Sequence, residues 1–227
     1  MSLLFDNIKT FLRQEVHMDN DTVEGMQNST VSIALAIALY AHRKQRRVNG
    51  ELYAHHPLNV YNHYKDLLGI DDDKIEYPYF SLFGKLGIPY YGVKEVCLLH
   101  DVIEDTDITM KDIEMIYGEF ESLDYFNIYI KEPLLLITHD KSVRYDDYID
   151  ILIKNPTSAF VKMLDICDNL NLSTLDKFAE KEYRRSKHYL KIFYRINREY
   201  RFIEKCIQFK KEYAVLRFTL EKPNGTA

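Results

Sequence analysis

Apolar residues recur at intervals of three and four through most of the chain, which is the spacing of one face of an α-helix. This pattern predicts helices over residues 3–18, 29–47, 57–69, 92–105, 110–117, 121–138, 145–154, 156–170 and 177–218. The stretch 121–138 is one helix or two, and 177–218 is one broken helix or two long ones. No two segments alternate as paired β-strands do, so we expect an all-α fold.

The segment 71–91 interrupts this helical pattern with Gly, Pro and many aromatic residues. The aromatic positions are Tyr77, Tyr79, Phe80, Phe83, Tyr90 and Tyr91. Long loops inside a compact domain are usually functional or disordered. Because aromatic side chains favour packing, we expect a lid or a pocket wall here rather than disorder.

The length of 227 residues fits a single domain. We expect a core over about 28–175, the insertion 71–91, C-terminal helices over 177–218 and a frayed end at 221–227. The hydrophobic fraction of 46% excludes general disorder. A net charge of −5 and a pI of about 5.9 argue against nucleic-acid binding by bulk charge.

Three widely spaced cysteines without a Cys-x-x-Cys pair fit a reducing compartment. Residues 1–13 mix acidic and basic side chains into an amphipathic pattern, unlike a signal peptide. The longest apolar run, Val31 to Tyr40, is too short to cross a bilayer. We therefore expect a cytoplasmic protein that does not insert into a membrane, and the sequence leaves its oligomeric state open.

The most concentrated polar chemistry lies in the apolar run 98–106, which contains His100, Asp101, Glu104 and Asp105. Residues three and four apart share a face of a helix, so Asp101 is expected to align with Glu104 and Asp105. Burying four ionisable groups together is costly without a bound cation. The alternative is a solvated acidic helix end with an incidental histidine.

Two further residues complete a possible ligand set for a divalent ion. His56 lies at the start of a predicted helix, just before Pro57, and Asp165 stands between Leu164 and Ile166 in another. Such an ion takes nitrogen and oxygen ligands from separated segments of a chain. On its own Asp165 would more often be a core carboxylate with satisfied hydrogen bonds. It supports a metal site only in combination with the two histidines and Asp101.

The order His, His-Asp, Asp across an all-helical chain resembles the HD-domain metal-dependent phosphohydrolases. Residues 41–57 are similar to the motif AHxxQxRxxGxxYxxHP, residues 98–106 to LLHDVxEDT and residues 161–169, in part, to VKLADRxxN. These motifs mark the hydrolase domain of the RelA/SpoT-homologue family, which removes the 3′-pyrophosphate of (p)ppGpp. The resemblance implies an HD-domain helical bundle and a small stand-alone hydrolase, without the synthetase and regulatory domains of longer members.

The resemblance also implies roles for individual residues. The metal, usually Mn²⁺ in that family, would be held by His56, His100, Asp101 and Asp165. Glu104 and Asp105 would act on the attacking water and the leaving group. The positions that match substrate contacts are Arg47, which packs on the guanine base, and Lys44, Tyr53, Lys162, Asn169 and Lys141.

Three features depart from the family pattern. Ile166 stands where the family has arginine, and Asp168 stands where histidine is common. The distance along the chain from His56 to His100 is longer than usual, and the excess is the aromatic segment 71–91. These departures bear on the identity of the substrate more than on the metal.

Alternatives to (p)ppGpp hydrolysis remain open at the level of sequence. One is hydrolysis of another small phosphoester, such as a nucleoside monophosphate, a dNTP or a nicotinamide nucleotide phosphate. Another is a non-catalytic scaffold that binds a nucleotide or a nucleic acid. The second pair His139-Asp140 lacks the following acidic residues and is a weaker metal candidate.

The segment from Lys177 to Arg217 has thirteen Lys and Arg against five Glu, with aromatic residues between them. We interpret the aromatic residues as a core stripe and the basic residues as a solvated face. An intermediate interpretation is that some of the basic residues reach the substrate phosphates, the candidates being Arg184, Arg185, Lys187 and Lys191.

Overall fold

The computed structural model describes residues 2–68, 78–171 and 179–220. Within them the chain is helical, and the β-structure found there is an isolated bridge between Arg46 and Leu52. The helices are α1 Leu3–Gln14, α2 Asn20–Gly25, α3 Thr30–Ala41, α4 His55–Leu68, α5 Pro78–Leu86, α6 Val93–Leu99, α7 Val102–Asp105, α8 Met110–Glu119, α9 Leu123–Tyr125, α10 Lys131–Ile137, α11 Tyr145–Leu152, α12 Pro156–Asn169, α13 Glu180–Tyr200 and α14 Phe202–Leu220. A π-helical turn, Phe126–Ile130, joins α9 to α10. The prediction of an all-α bundle is confirmed.

The centre of the bundle is formed by α4, α6 and α12, which pack on one another. Their facing sides are apolar and buried, with Val60 on α4, Leu98 on α6 and Phe160 on α12 each 0–1% exposed. Around this centre α3 packs on α6, α13 packs on α12, and α14 packs on α4 and α5. The burial of these apolar faces supplies the main driving force for folding.

Local sequence signals set several helix starts. Thr109 and Asp112 form a reciprocal capping box at the start of α8. The Asn155 side chain accepts a hydrogen bond from the Ser158 N–H, and Pro156 occupies the first turn of α12. These signals fix the first residues of α8 and α12.

The predicted helix 29–47 is shorter than expected, because α3 ends at Ala41. Residues 42–54 instead form a turned loop in which Arg46 and Leu52 pair across the bridge. Gly50 has a φ of +84°, which favours glycine, and its N–H donates to the Arg47 carbonyl at 2.9 Å. The basic residues 43–47 therefore lie in a loop rather than on a helix.

The predicted helix 92–105 is not continuous, and its break lies at the two residues of greatest chemical interest. α6 ends at Leu99 and α7 begins at Val102, while Asp101 adopts φ −100° and ψ −6°. The His100 ring lies 2.9 Å from the Cys97 carbonyl of the last α6 turn. At this break both side chains face His56 of α4, and His100 also lies near Asp165 of α12.

The aromatic segment forms a helix in the part that the structure describes. α5 buries Leu82, Phe83 and Leu86, and the Phe83 ring contacts Tyr64 of α4 and Tyr90. Tyr77, residues 71–76 and the predicted frayed end at 221–227 lie outside the described residues. The described part packs into the core, and the role of the segment as a lid stays a prediction.

The C-terminal segment consists of two helices, separated at Arg201, which has a φ of +55°. Ile192 and Ile196 form the buried face of α13. Tyr183 and Tyr194 are 51% and 69% exposed, so the expected aromatic core stripe is wrong at these two positions. None of the helices that the structure describes has both the length and the apolar character needed to span a bilayer.

Candidate metal centre

Three of the predicted metal ligands, His56, His100 and Asp101, lie close enough together to hold a metal ion, and Asp165 of α12 lies beside the two imidazoles. The Nε2 atom of His56 lies 3.2 Å from Nε2 of His100, 3.3 Å from Oδ2 of Asp101 and 3.1 Å from Oδ1 of Asp165. The Nε2 atom of His100 lies 3.3 Å from Asp101 and 3.7 Å from Asp165. His56, His100 and Asp165 are buried, and Asp101 is half-buried.

The outer nitrogens of both imidazoles already have acceptors. Nδ1 of His56 lies 2.7 Å from Oδ2 of Asp168, and Nδ1 of His100 lies 2.9 Å from the Cys97 carbonyl. Donation from each Nδ1 leaves an Nε2 lone pair directed at the shared point, next to two carboxylate oxygens. Four electron-rich atoms facing one another in a buried space fit a divalent cation.

The charges around this point shift the pKa values of the groups in opposite directions. Burial alone lowers the pKa of His100, but the carboxylates of Asp101 and Asp165 raise it to about 9. The pKa of His56 is raised for the same reason, against the effect of burial. Burial raises the pKa of Asp101, but the two imidazoles hold it well below its usual range. The carboxylates and imidazoles therefore stabilise one another's charged forms in the metal-free protein, and a bound cation would have to displace protons from the imidazoles.

Three of the predicted substrate contacts bond to the ligand carboxylates. The Tyr53 hydroxyl donates to Oδ2 of Asp101 at 2.7 Å. The Lys162 ammonium lies 2.8 Å from Oδ2 of Asp165, and the Asn169 amide donates to Oδ1 of Asp165. In this structure these side chains orient the ligand carboxylates, while they also line the cleft beside them.

The acidic pair after the ligands is held from both sides. Oε2 of Glu104 accepts from the backbone N–H of His139 at 3.0 Å, and the Tyr53 hydroxyl lies 3.4 Å from Oδ2 of Asp105. The Gln45 side chain donates to the Asp105 carbonyl at 2.5 Å. These contacts fix the pair next to the ligands, in a position to accept or donate a proton.

Two clefts open onto this acidic pair. The first, of about 390 Å³, contains the candidate ligands His56, Asp101 and Asp165 in its lining. Arg47, Tyr53, Lys162 and Asn169 line the same cleft. The second, of about 660 Å³, is lined by Lys44 and Lys141 together with Glu104 and Asp105. The predicted substrate contacts are thus divided between two adjoining clefts.

Three residues that line the first cleft were not predicted as site residues, although Arg185 was one of four basic residues considered for contact with the phosphates. Tyr145 comes from α11, and Arg185 and Tyr189 come from α13. The Arg185 guanidinium lies 6.0 Å from the centre of the Tyr189 ring. The basic and aromatic composition of α13 was the available signal, and of its four candidate cations Arg185 lines this cleft.

The second His-Asp pair has a different role from the first. Nε2 of His139 lies 2.8 Å from the Val143 carbonyl, and its ring packs against Tyr145 and Tyr148. Its contribution to the site is the backbone N–H that bonds to Glu104. This agrees with its weaker standing as a metal candidate in the sequence.

Comparisons with known sequences identify two similar proteins. The chain is 27% identical over 153 residues to a probable guanosine-3′,5′-bis(diphosphate) 3′-pyrophosphohydrolase of Synechocystis, covering 67% of this chain and 17% of that protein. It is 28% identical over 143 residues to the guanosine-3′,5′-bis(diphosphate) 3′-pyrophosphohydrolase MESH1 of Drosophila melanogaster, covering 60% of this chain and 65% of that protein. The chain thus spans less than two thirds of either relative. No protein-family profile matches it.

A solved structure shares the fold. It is that of a metazoan ortholog of SpoT that hydrolyzes ppGpp and plays a role in starvation responses. The TM-score is 0.54 at 21% sequence identity, and the match covers 82% of this chain and 96% of that chain. Together with the two relatives, this match confirms the resemblance inferred from the three motifs and the HD-type helical fold.

Proposed function

We propose that the chain is a metal-dependent 3′-pyrophosphohydrolase of (p)ppGpp. The observation that carries this proposal is the convergence of His56, His100, Asp101 and Asp165, from three separate parts of the chain, beside a cleft of about 390 Å³. The names of the two relatives and of the solved structure support the same reaction.

In this reaction water attacks the phosphorus that is bonded to the 3′ oxygen. The P–O bond to that oxygen breaks, and the products are pyrophosphate and a nucleotide with a free 3′ hydroxyl. The water loses a proton and the leaving oxygen gains one. Glu104 and Asp105 are the acidic groups beside the ligands, and we assign them these proton transfers.

The ion in the proposed site is Mn²⁺ or another divalent metal. When bound, it would supply Lewis-acid activation of water near neutral pH and neutralise charge on the phosphoryl oxygens. The set of two imidazoles and two carboxylates suits a borderline or hard divalent ion. The residues of this chain contribute the orientation: Asp168 and the Cys97 carbonyl set the imidazoles, and Tyr53 and Lys162 set the carboxylates.

The nucleotide part of the substrate is assigned to the two clefts. Arg47 and Asn169 would contact the base and sugar in the first cleft, and Lys44 and Lys141 offer positive charge in the second. A guanidinium or an ammonium binds phosphate oxygens well because its donors carry positive charge. These substrate contacts rest on the motif match and on the lining of the clefts.

We also propose that the protein works in the reducing cytoplasm. Cys97, Cys167 and Cys206 are free thiols, and Cys97 and Cys206 are buried. Unpaired thiols are typical of proteins kept in a reducing compartment.

The proposed function is tested by a substrate panel in the presence of Mn²⁺. The panel contains ppGpp, a nucleoside monophosphate, a dNTP and a nicotinamide nucleotide phosphate, and each product is resolved by anion-exchange chromatography. We expect turnover of ppGpp by the wild type and a loss of at least about 10³-fold in Asp101→Ala, because that variant lacks a ligand. The matched control, Asp124→Ala at an exposed position on α9, should retain wild-type turnover.

Each alternative has its own outcome in the same panel. Turnover of another phosphoester with ppGpp left intact would replace the proposed substrate while keeping the metal chemistry. Binding of nucleotides without turnover of any substrate would favour a non-catalytic scaffold. Equal turnover by wild type and Asp101→Ala would contradict the assigned metal centre.

A further inference from the structure

Asp168 connects the candidate metal centre to the wall of the first cleft. Its side chain is 1% exposed, and its Oδ2 atom lies 2.7 Å from Nδ1 of His56 and 2.9 Å from Nη2 of Arg47. A single carboxylate oxygen therefore contacts both a predicted metal ligand and a predicted substrate contact. Nε2 of His63 lies farther away, 3.8 Å from the other oxygen.

The contact with His56 determines which nitrogen of its ring faces the other ligands. Because Asp168 is an acceptor, the Nδ1 atom of His56 must be the donor, and Nε2 is left with its lone pair directed at the ion site. A carboxylate behind a ligating histidine orients the ring and increases its basicity as a ligand. Asp168 is thus placed to act on the ion through His56, without touching it.

The contact with Arg47 holds the guanidinium in the lining of the cleft. The Arg47 side chain is 12% exposed, and its Nη1 atom is buried without a hydrogen-bond partner among the described residues. A buried N–H without a partner costs free energy, and an acceptor atom of a bound nucleotide would remove this cost. The ion pair with Asp168 uses Nη2 and fixes the plane of the guanidinium, so Nη1 stays available to a bound nucleotide.

The histidine that is common at this position in the family pattern could not make both contacts. A neutral imidazole has one acceptor atom and no negative charge. It could accept from one of the two neighbours but would not neutralise Arg47. The arrangement therefore distinguishes this chain from one with histidine at position 168.

We propose that Asp168 is a positioning residue that holds His56 for the divalent ion and Arg47 for the nucleotide. The identity of the ligands rests on the proposed function, but the positioning can be measured without turnover. The inference predicts that loss of the carboxylate weakens both binding events, whereas loss of Arg47 weakens the nucleotide alone.

The test is isothermal titration calorimetry, which gives the Kd of the metal-free protein for Mn²⁺ and the Kd of the Mn²⁺-loaded protein for GDP. Asp168→Asn keeps the shape of the side chain and removes its charge. We expect its Kd for Mn²⁺ to rise by about 10–100-fold, as is usual when the partner of a ligating histidine is lost. Its Kd for GDP should rise as well, because a neutral amide oxygen holds the Arg47 guanidinium less firmly than a carboxylate does.

Arg47→Met separates the two effects, because it leaves the bond between Asp168 and His56 intact. Its Kd for Mn²⁺ should stay within about twofold of the wild type, while its Kd for GDP rises. The control Asp124→Asn, at an exposed position, should change neither constant. A nonspecific loss of structure would not give this division between the two ligands.

Nuclear magnetic resonance of the wild type gives a second measurement that does not depend on a variant that folds. In the Zn²⁺-loaded protein we expect a downfield Nδ1 proton on His56, with Nε2 as the ligating atom. Ligation through Nδ1 would overturn the inference, as would unchanged Mn²⁺ affinity in Asp168→Asn or absence of Mn²⁺ binding by the wild type. Failure of the wild type to hydrolyse ppGpp would overturn the proposed function alone and leave these results standing.

Discussion

The carboxylate of Asp165 has a separate partner for each oxygen. Oδ1 faces the two imidazoles and accepts from Asn169, while Oδ2 is paired with the Lys162 ammonium at 2.8 Å. Lys162 is itself largely buried, and the charge of Asp165 raises the pKa of Lys162 well above its usual value despite the cost of burial. The pair therefore carries opposite full charges in the folded protein.

At the residue scale, removal of Lys162 should destabilise the protein. Lys162→Met keeps the length of the side chain and leaves one oxygen of the buried Asp165 without its cation. We expect the free energy of unfolding in urea to fall by about 1–3 kcal/mol in the metal-free protein. The exposed Lys154, changed to methionine, serves as the control and should give no measurable change. Equal stability of Lys162→Met and wild type would mean that the pair contributes nothing.

The candidate ligand residues could be singled out from the sequence, but several of their neighbours could not. His56, His100, Asp101 and Asp165 stand in local motifs whose residue types reveal their chemistry. Arg185 and Tyr189 reach the cleft because α13 packs on α12, a long-range contact that no local pattern encodes. The contact from the backbone N–H of His139 to Glu104 could not be predicted either, because every residue except proline has such a donor.

At the scale of the element, the start of α6 depends on a close approach between two backbones. Gly92 precedes α6 with a φ of +84°, and a Cβ atom there would lie 2.3 Å from the Tyr129 carbonyl oxygen. The approach brings α6 against the π-helical turn, and α6 leads directly to His100 and Asp101. A side chain at this position would displace one of the two backbones.

Gly92→Ala should therefore be strongly destabilising. We expect the free energy of unfolding to fall by more than about 3 kcal/mol, since both the backbone conformation and the space exclude a Cβ atom. Gly118→Ala is the matched control, because its Cβ would meet nothing closer than 4.0 Å inside α8. That change should be neutral or stabilising by up to about 1 kcal/mol. Thermal unfolding of both variants tests this, and similar effects of the two changes would contradict it.

The cap of α12 gives a smaller effect in the same direction. The Asn155 side chain accepts from the Ser158 N–H at 3.0 Å. Asn155→Ala should lower the free energy of unfolding by about 1 kcal/mol. Asn155→Asp should leave the free energy of unfolding close to that of the wild type, because aspartate is an equally good cap. Urea denaturation of the two variants measures the difference, which would be absent if the cap were unimportant.

The periodicity of the sequence predicted which segments form helices. Where those helices end depends on tertiary contacts that the periodicity does not show. The basic run after Ala41 continues a helical pattern, yet hydrogen bonds such as that from Gln45 to the Asp105 carbonyl draw it into a loop. The interruption at His100 and Asp101 has the same origin, because both side chains turn to meet α4 and α12. Each of these deviations lies at the site itself.

At the scale of the whole molecule, the candidate ion would link separate parts of the bundle. Its ligands come from α4, from the turn after α6 and from α12, the three elements at the centre of the fold. A ligand that binds only the folded state stabilises it in proportion to the logarithm of its concentration. Ion binding should therefore be visible as a change in global stability.

Addition of Mn²⁺ at about a hundredfold excess over its Kd should stabilise the wild type by about 2.7 kcal/mol. For a chain of this size the midpoint of thermal unfolding should rise by roughly 5–10 °C. Asp101→Ala should show little of this rise, whereas Asp124→Ala should show all of it. Differential scanning calorimetry with Mn²⁺ and with EDTA gives the comparison, and an equal rise in both variants would place the ion elsewhere.

The most direct test of the proposed activity is ³¹P nuclear magnetic resonance of ppGpp during incubation with the wild type and Mn²⁺. We predict that the 3′ diphosphate signals disappear, that free pyrophosphate appears in equal amount, and that the 5′ diphosphate of GDP remains. The same sample treated with EDTA should keep the spectrum of intact ppGpp. Release of orthophosphate, loss of the 5′ diphosphate, or an unchanged spectrum with Mn²⁺ present would contradict the account.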